Sequence, residues 1–258
     1  MTDTAGSGAI YDAARKLAAE GNVAVVATVV EGDTVGAKAL ITDAMVTGTL
    51  GDGSLDKQIE SHVTGSRERP RSGMIDTESG ARVFLDVFEP SPQLVIFGAV
   101  HTAQALDWFA RKLGYRVVVT DARRALATRE RFPNTDQLLI GWPDEAFAQL
   151  TITPATAIAI LSHDPKFDEP ALLGALKTDA RYIGAVGSRK TNTDRRERLQ
   201  KAGVSDEQIA RIHGPIGLNI GGSTPEEMAI SILAEMIAVT HDRDGTPLSA
   251  SQSAIRGK

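Results

Sequence analysis

Small and polar residues that could bind the phosphate of a nucleotide follow an apolar run in the middle of the chain. The run Leu94–Phe97 ends at Gly98, and the turn continues through Val100 and His101. Asp121 follows a run of valines shortly afterwards. The order strand, glycine turn, helix, strand and acid is that of a dinucleotide-binding βαβ unit. In such a unit, backbone N–H groups at the helix N-terminus face a phosphate, and the acid accepts from ribose hydroxyls.

One position of this turn departs from the G-x-G-x-x-G/A pattern of dinucleotide-binding turns. Gly98 matches the first glycine and Ala103 the last small residue, but Val100 stands where a second glycine normally lets the backbone approach a pyrophosphate. A β-branched side chain there either displaces the phosphates or leaves the βαβ unit purely structural. The residues alone leave both interpretations open.

Polar residues follow several other predicted strands, and ligands of open α/β sheets bind outside the carboxyl ends of the strands. His163 and Asp164 could face such a ligand, or Ser162 and Asp164 could form a helix N-cap turn. His101 could equally cap or pack at the start of its helix. The candidate cofactor-binding residues are Gly98, Val100, His101, Asp121, His163, Asp164, Gly187, Ser188, Arg189 and His213.

The chain lacks the parts that several kinds of active site need. Its cysteine count is 0, which excludes disulfides, thiolate metal sites and cysteine nucleophiles. It has neither a G-x-S-x-G elbow nor a G-x-x-x-x-G-K-[ST] loop. Histidines on three separate loops, with Asp164, could ligate a metal, but no close histidine pair supports that alternative. No catalytic residue and no metal site are therefore predicted.

Composition sets further limits on the class of protein. A net charge of -5 argues against non-specific binding to nucleic acid. No apolar run approaches about 20 residues, so no membrane span is predicted. The first residues include early acids and no apolar core, so they do not resemble a signal peptide. Together with the absence of cysteine, this predicts a cytoplasmic protein.

The hydrophobic pattern predicts an α/β protein: a Rossmann-like doubly wound parallel sheet preceded by a smaller N-terminal α+β domain. Pro90 and Pro92 mark the boundary, which gives domains at 1–90 and 91–243 and a tail at 244–258 that is expected to be disordered. The predicted strands of the second domain are Leu94–Phe97, Arg116–Thr120, Gln137–Ile140, Thr156–Leu161 and Tyr182–Val186. Its main predicted helices are His101–Lys112, Glu169–Lys177 and Thr193–Ala202.

Several motifs, in this order, resemble those of the XdhC/CoxI family, accessory proteins of molybdenum hydroxylases such as xanthine dehydrogenase and carbon monoxide dehydrogenase. The resemblance covers nearly the whole chain and is densest in the second domain. The segments that carry it are Leu94–Ala103, Ser162–Asp164, Tyr182–Arg189, His213–Gly221, Thr224–Glu227 and Ile232–Glu235.

The resemblance implies a function in cofactor maturation. Family members bind the molybdenum cofactor, as molybdopterin or its dinucleotide, support its sulfuration by a partner cysteine desulfurase, and assist its insertion into an apo molybdenum hydroxylase. The family has a cysteine in a glycine-rich segment of its first domain, and Ser54 stands at the matching position. Serine cannot carry a persulfide, so any sulfur must come from the partner. A homodimer is left open.

Two other functions remain as alternatives to a non-catalytic cofactor-binding chaperone. A NAD(P)-binding oxidoreductase would use the same turn and Asp121, but Val100 and the lack of a Tyr-x-x-x-Lys motif count against it. The other alternative is an interaction protein with a vestigial Rossmann domain. The sequence favours the chaperone.

Overall fold

The computed structural model describes residues 4–65 and 70–250. The chain divides into two compact units, Met1–Ser91 and Pro92–Lys258.

The first unit is an antiparallel sheet with a helix on each face. Its strand order is β3-β2-β1-β5-β4. Because side chains alternate along a strand, Val25 and Ala27 pack with α2, whereas Ala24 and Val26 pack with α1. Its elements are α1 (Thr4–Ala19), β1 (Ala24–Glu31), β2 (Lys38–Ile41), β3 (Val46–Thr49), α2 (Gly53–Thr64), β4 (Gly73–Asp76) and β5 (Arg82–Phe88).

The second unit is a parallel six-stranded sheet with the order β11-β10-β9-β6-β7-β8. Its strands are β6 (Gln93–Phe97), β7 (Arg116–Asp121), β8 (Gln137–Ile140), β9 (Thr156–Ile160), β10 (Tyr182–Ala185) and β11 (Ile212–His213). Its helices are α3 (His101–Lys112), α4 (Pro143–Phe147), α5 (Pro165–Leu176), α6 (Arg189–Lys201), α7 (Asp206–Ala210) and α8 (Pro225–Thr240).

Helices cover both faces of this sheet, which confirms the predicted doubly wound α/β fold. Leu94 and Ile96 pack with α3 and α8, whereas Val95 and Phe97 pack with α5 on the other face. Strands buried on both faces are continuously apolar, and this is why the pattern revealed them. The five predicted strands are confirmed to within a residue at each end, and α3 is confirmed at both ends.

Two helices begin earlier than predicted. The apolar pattern placed their starts at Glu169 and Thr193, whereas α5 begins at Pro165 and α6 at Arg189. The first turns are polar because Asp164 and Ser188 are N-caps, and their side chains accept hydrogen bonds from backbone N–H groups inside the helices at 3.0 and 3.1 Å. A period count over apolar residues misses such turns.

The end of the described chain is irregular. Residues 244–250 contain neither helix nor strand, and a turn there is closed by the Ala250 N–H, which donates to the Pro247 carbonyl at 2.8 Å. The rest of the tail predicted to be disordered, 251–258, lies outside the described residues. Within the described part of the chain, no helix is long and apolar enough to cross a membrane.

Candidate functional site

The candidate site lies where the order of the parallel strands reverses. After β6 the chain builds β7 and β8 to one side, and then crosses to build β9, β10 and β11 on the other. Such a switch point separates two neighbouring loops and leaves a crevice at the carboxyl ends of the strands. Here the crevice lies between the turn after β6 and the loop after β9, which hold six of the predicted residues or their direct contacts.

Gly98 makes the turn after β6 close. Its φ is +110°, a region that side chains disfavour, and its N–H donates to the Thr120 carbonyl at 2.8 Å. A Cβ at this position would stand 2.8 Å from the backbone nitrogen of Ser162, in the loop after β9. Only glycine permits this approach of the two loops that border the crevice.

The N-terminus of α3 presents backbone donors at this point. Val100 is the N-cap residue in an extended conformation, and its side chain provides no capping hydrogen bond. Within residues 4–65 and 70–250, the N–H groups of Val100, His101 and Thr102 have no acceptor. Unpaired donors and the helix dipole favour an anion at such a position. The half-buried Val100 side chain packs against the core under α3 and α8, so it also has a structural role.

Asp121 differs from its prediction as an exposed acid that binds the ligand. It is only 2% exposed, and its carboxylate accepts the Ala99 N–H at 2.8 Å. It also accepts the backbone N–H of Arg123 and two guanidinium donors of the same residue, at 2.8–2.9 Å. The expected exposure is wrong because the turn and Arg123 enclose the carboxylate. Asp121 therefore fixes the turn after β6, and its oxygens are already engaged, which leaves the NAD(P) alternative without a ready ribose acceptor.

We expect Asp121→Asn to destabilise the protein by about 2–3 kcal/mol at neutral pH, because hydrogen bonds to a charged group contribute most. Burial alone would raise the pKa of Asp121, but hydrogen bonds from Arg123 and Ala99 outweigh it and hold the pKa below its usual value. The stabilisation is thus present above the pKa of the unfolded chain and is lost as the pH falls. Urea unfolding of both proteins across acidic pH measures this, and parallel curves would contradict it.

Arg123 is a functional candidate that the sequence interpretation missed. Its side chain is 54% exposed and pairs with Asp121, and the charge of Asp164 from the loop after β9 also acts on it, so the pKa of its guanidinium is raised, with the Asp121 hydrogen bond as the main cause. It is a cation at the border of the crevice. The signal was an arginine two residues after the acid at the end of β7.

A second arginine stabilises the same turn. Nη1 of Arg131 donates to the carbonyls of Ala99 and Leu126 at 2.7 and 2.8 Å. Its Nη2 donates to the Gln104 side chain, whose amide returns a hydrogen bond to the Arg131 carbonyl at 3.0 Å. The turn is thus held by charged groups while the first N–H groups of α3 stay unpaired.

His163 and Asp164 occupy the facing loop after β9. The Asp164 carboxylate caps α5, and its own N–H donates to the Ser162 hydroxyl at 3.1 Å, so the N-cap alternative is confirmed. His163 is exposed, and within the described ranges it has no hydrogen-bond partner. Of this pair, His163 is the side chain that can reach a ligand without disrupting the local structure.

Gly187, Ser188 and Arg189 form the next loop, after β10. Gly187 has a φ of +136°, and Ser188 caps α6 by accepting the Thr191 N–H. Arg189 is exposed. The loop therefore offers a free cation, while its serine is already used for capping.

A buried ion pair connects α5, α6 and the loop after β10. Arg195 and Asp168 are 4% and 3% exposed, with Nη2 and Oδ2 3.5 Å apart. The guanidinium also donates to the Val186 carbonyl at 2.9 Å and to the Asn192 side chain. Desolvation raises the pKa of Asp168 to about 6, against the opposing effects of the Ser162 hydroxyl and of Arg195. This pair holds two of the loops that face the crevice.

His213 belongs to a separate polar group at the edge of the sheet. Its Nδ1 lies 3.4 Å from the Glu235 carboxylate, and its ring stacks on Tyr182 at 4.7 Å. Glu235 also accepts the Tyr182 hydroxyl at 2.5 Å and the Gly217 N–H at 2.8 Å. Burial would raise the pKa of Glu235, but hydrogen bonds from His213, Tyr182 and Gly217 outweigh it and lower the pKa. Glu235 thus orients His213.

The predicted residues therefore form two groups along one edge. Gly98, Val100, His101, Asp121 and the loop after β9 surround the switch point. The strand β11, which carries His213, lies three positions from β6, or roughly 14 Å at the usual spacing of strands. A single phosphate cannot contact both groups, whereas an extended ligand can. Within the described residues, no cluster of three or more histidine, cysteine, aspartate or glutamate side chains could hold a metal ion.

Comparison with known proteins agrees with this geometry. The model of the XdhC Rossmann domain matches residues 94–236, which is more than half of the chain. The chain belongs to the XdhC family. The match extends from β6 to α8 and so includes the switch point and the group around His213.

The curated relatives of this XdhC protein are longer than the chain. It is 31% identical over 218 residues to an uncharacterized Escherichia coli protein, YqeB, covering 79% of the chain and 40% of the relative. It is 32% identical to a probable xanthine dehydrogenase component of Bacillus subtilis, covering 60% and 45%. It is 30% identical to the molybdenum cofactor insertion chaperone PaoD of Escherichia coli, covering 59% and 41%. The chain thus spans less than half the length of these relatives.

A crystal structure described as a xanthine dehydrogenase from Bacillus halodurans shares the fold. The TM-score is 0.68 at 26% identity, and the alignment covers 93% of this chain and 68% of that chain.

Proposed function

We propose that this XdhC protein binds a molybdenum cofactor, as molybdopterin or its dinucleotide, and assists its insertion into an apo molybdenum hydroxylase of the xanthine or carbon monoxide dehydrogenase type. The observation that carries the proposal is the set of unpaired N–H groups at the start of α3, at the switch point of the sheet. The phosphate of the cofactor is the group that fits them. The names of two relatives point to the same pathway.

The charges around the crevice support an anionic ligand. Arg123 borders the turn after β6, and Arg189 is exposed at the loop after β10. His163 and His213 add side chains that can donate hydrogen bonds along the same edge. The spread of these groups over several strands suits an extended ligand better than an isolated phosphate.

The protein acts in this proposal as a carrier without catalysis of its own. Ser54 lies in the first turn of α2, where its hydroxyl donates to Asp52 at 2.8 Å. With serine there and no cysteine in the chain, sulfur for the molybdenum centre comes from a partner cysteine desulfurase. Incubation with a desulfurase and radiolabelled cysteine tests this, and label retained covalently on this protein would refute it.

Calorimetric titration with molybdopterin, its dinucleotides and NAD(P) tests the binding. We expect saturable heat with the pterin compounds and none with NAD(P). Saturable binding of NAD(P) alone would support the oxidoreductase instead. Flat titrations with every ligand would leave the vestigial Rossmann domain as the better account.

Replacing Val100 with glycine is expected to tighten binding of the pterin ligand about 3- to 10-fold, because a phosphate could then approach the backbone donors and gain about one hydrogen bond. Loss of the packed side chain and greater flexibility should lower stability by about 1 kcal/mol. The same titration measures the affinity. Val35→Gly, at a residue 57% exposed in the first unit, is the matched control. Weaker binding by Val100→Gly would mean that the phosphates do not reach this turn.

A further inference from the structure

A groove between α3 and the start of α8 has a volume of about 540 Å³. Its walls are formed by one face of α3 and by the first residues of α8. His101, Gln104 and Trp108 share that face because they are spaced by three and four residues along the helix. Phe109, Pro225 and Glu226 complete the walls. The groove begins at His101, the residue that opens α3 at the switch point.

Trp108 is an exposed aromatic wall of this groove. It is 56% exposed, although tryptophan is usually well buried. Phe109 meets its ring edge-on with centroids 4.9 Å apart, and the Lys112 ammonium lies 5.7 Å from the ring centre. These contacts hold the indole in place while leaving more than half of its surface free. An ordered, exposed indole is suited to stacking against a flat ring.

Glu226 supplies the polar wall of the groove. Within residues 4–65 and 70–250 its carboxylate has no hydrogen bond or ion pair, and the same is true of the His101 side chain. Gln104, in contrast, is already bonded to Arg131. A free carboxylate accepts two neighbouring N–H groups of one flat ring well, because its two oxygens match such a pair. The groove therefore combines a stacking surface with a paired acceptor.

We propose that this groove binds a planar heterocycle through a ring N–H and an adjacent amino group, the edge that pterin and guanine share. The inference rests on the proposed function, because it assigns the ring of the cofactor to a place. Trp108 lies seven residues beyond His101, or roughly 10 Å along the helix. A ligand whose phosphate lies at the start of α3 can therefore reach the groove with its ring. Glu226 reads the edge, and Trp108 stacks on the face.

Tryptophan fluorescence tests the proposal directly because the chain has only 2 tryptophans. The Trp142→Phe variant leaves Trp108 as the sole reporter, and Trp108→Phe is the matched control. We expect GMP and neopterin to quench the first variant saturably and not the second. AMP lacks the paired donors and should bind at least about tenfold more weakly. If only GMP or only neopterin binds, the groove takes the guanine of a dinucleotide or the pterin, respectively, and both results support the proposal.

The Glu226→Gln change, added to Trp142→Phe, tests the role of the carboxylate. We expect it to weaken GMP or neopterin at least about tenfold, as for loss of a charged acceptor, and to leave AMP unchanged. No saturable quenching, equal binding of AMP, or an unaffected Glu226→Gln variant would overturn the proposal. Cofactor bound to the native protein is measured separately by mass spectrometry. If cofactor is present while these titrations fail, the proposed function stands and this groove does not hold its ring.

Discussion

Replacing Gly98 with alanine is expected to destabilise the second unit by about 2–4 kcal/mol, since it combines backbone strain with a steric clash. The φ of +110° disfavours any side chain, and the added Cβ would lie 2.8 Å from the backbone nitrogen of Ser162. Relief requires the loops after β6 and β9 to separate, so ligand binding should also be lost. Urea unfolding followed by tryptophan fluorescence measures the change, because Trp108 and Trp142 both lie in this unit.

Gly114→Ala is the matched control for that change. Gly114 also has a positive φ, +84°, but no atom lies within 4 Å of a Cβ placed there. It should therefore show the strain alone, about 1–2 kcal/mol. If both variants lose the same stability, the close approach of the two loops contributes nothing, and the geometry assigned to the crevice is wrong.

Replacing Arg195 with methionine is expected to cost about 3–5 kcal/mol near neutral pH, because it leaves the carboxylate of Asp168 buried without a partner. The double variant Asp168→Asn/Arg195→Met removes both charges and should recover most of that loss. The same unfolding assay measures both proteins. A double variant that is as unstable as Arg195→Met would show that packing, and not charge pairing, is the role of the arginine.

The effect of pH on Arg195→Met has a definite sign. Burial already raises the pKa of Asp168 to about 6 in the folded protein, above the unfolded value of about 3.9. The folded state therefore binds this proton more tightly, and the contribution of Asp168 to stability declines as the pH rises from about 4 to about 6. Without Arg195 the unpaired charge matters more, so the destabilisation should shrink when the pH is lowered from about 8 to about 5.

The sequence predicted the framework of the site well because its signals are local. The valine run before Asp121 and the turn after Phe97 lie close together in the chain, and the order of elements places their ends at one edge. The start of α3 at His101 also follows from a local pattern. Local spacing was thus enough to find the switch point and the predicted phosphate turn.

Contacts between distant parts of the chain could not be predicted in the same way. Asp121 becomes buried only when the Ala99 N–H, 22 residues earlier, folds against it. Glu235 reaches Tyr182 across 53 residues, and Arg195 pairs with Asp168 across 27. Each of these acids could belong to an exposed helix face by pattern alone. Their roles depend on which helix packs on which strand.

The central claim is that the N–H groups at the start of α3 hold the phosphate of a molybdenum cofactor. His101→Pro removes one of these donors with little strain, because proline suits the first helical position and Val100 before it is already extended, with a ψ of 179°. His101→Ala removes the same side chain but keeps the N–H. Comparing the two variants therefore isolates the backbone donor.

The decisive measurement is quantitative mass spectrometry of small molecules released from wild type, His101→Ala and His101→Pro, each purified from cells that make a molybdenum hydroxylase. We predict a phosphorylated pterin or its dinucleotide with the wild type, and occupancy in His101→Pro at least about tenfold below that of His101→Ala, as for loss of a hydrogen bond to a charged group. Absence of any pterin from the wild type, or equal occupancy in the two variants, would contradict the account.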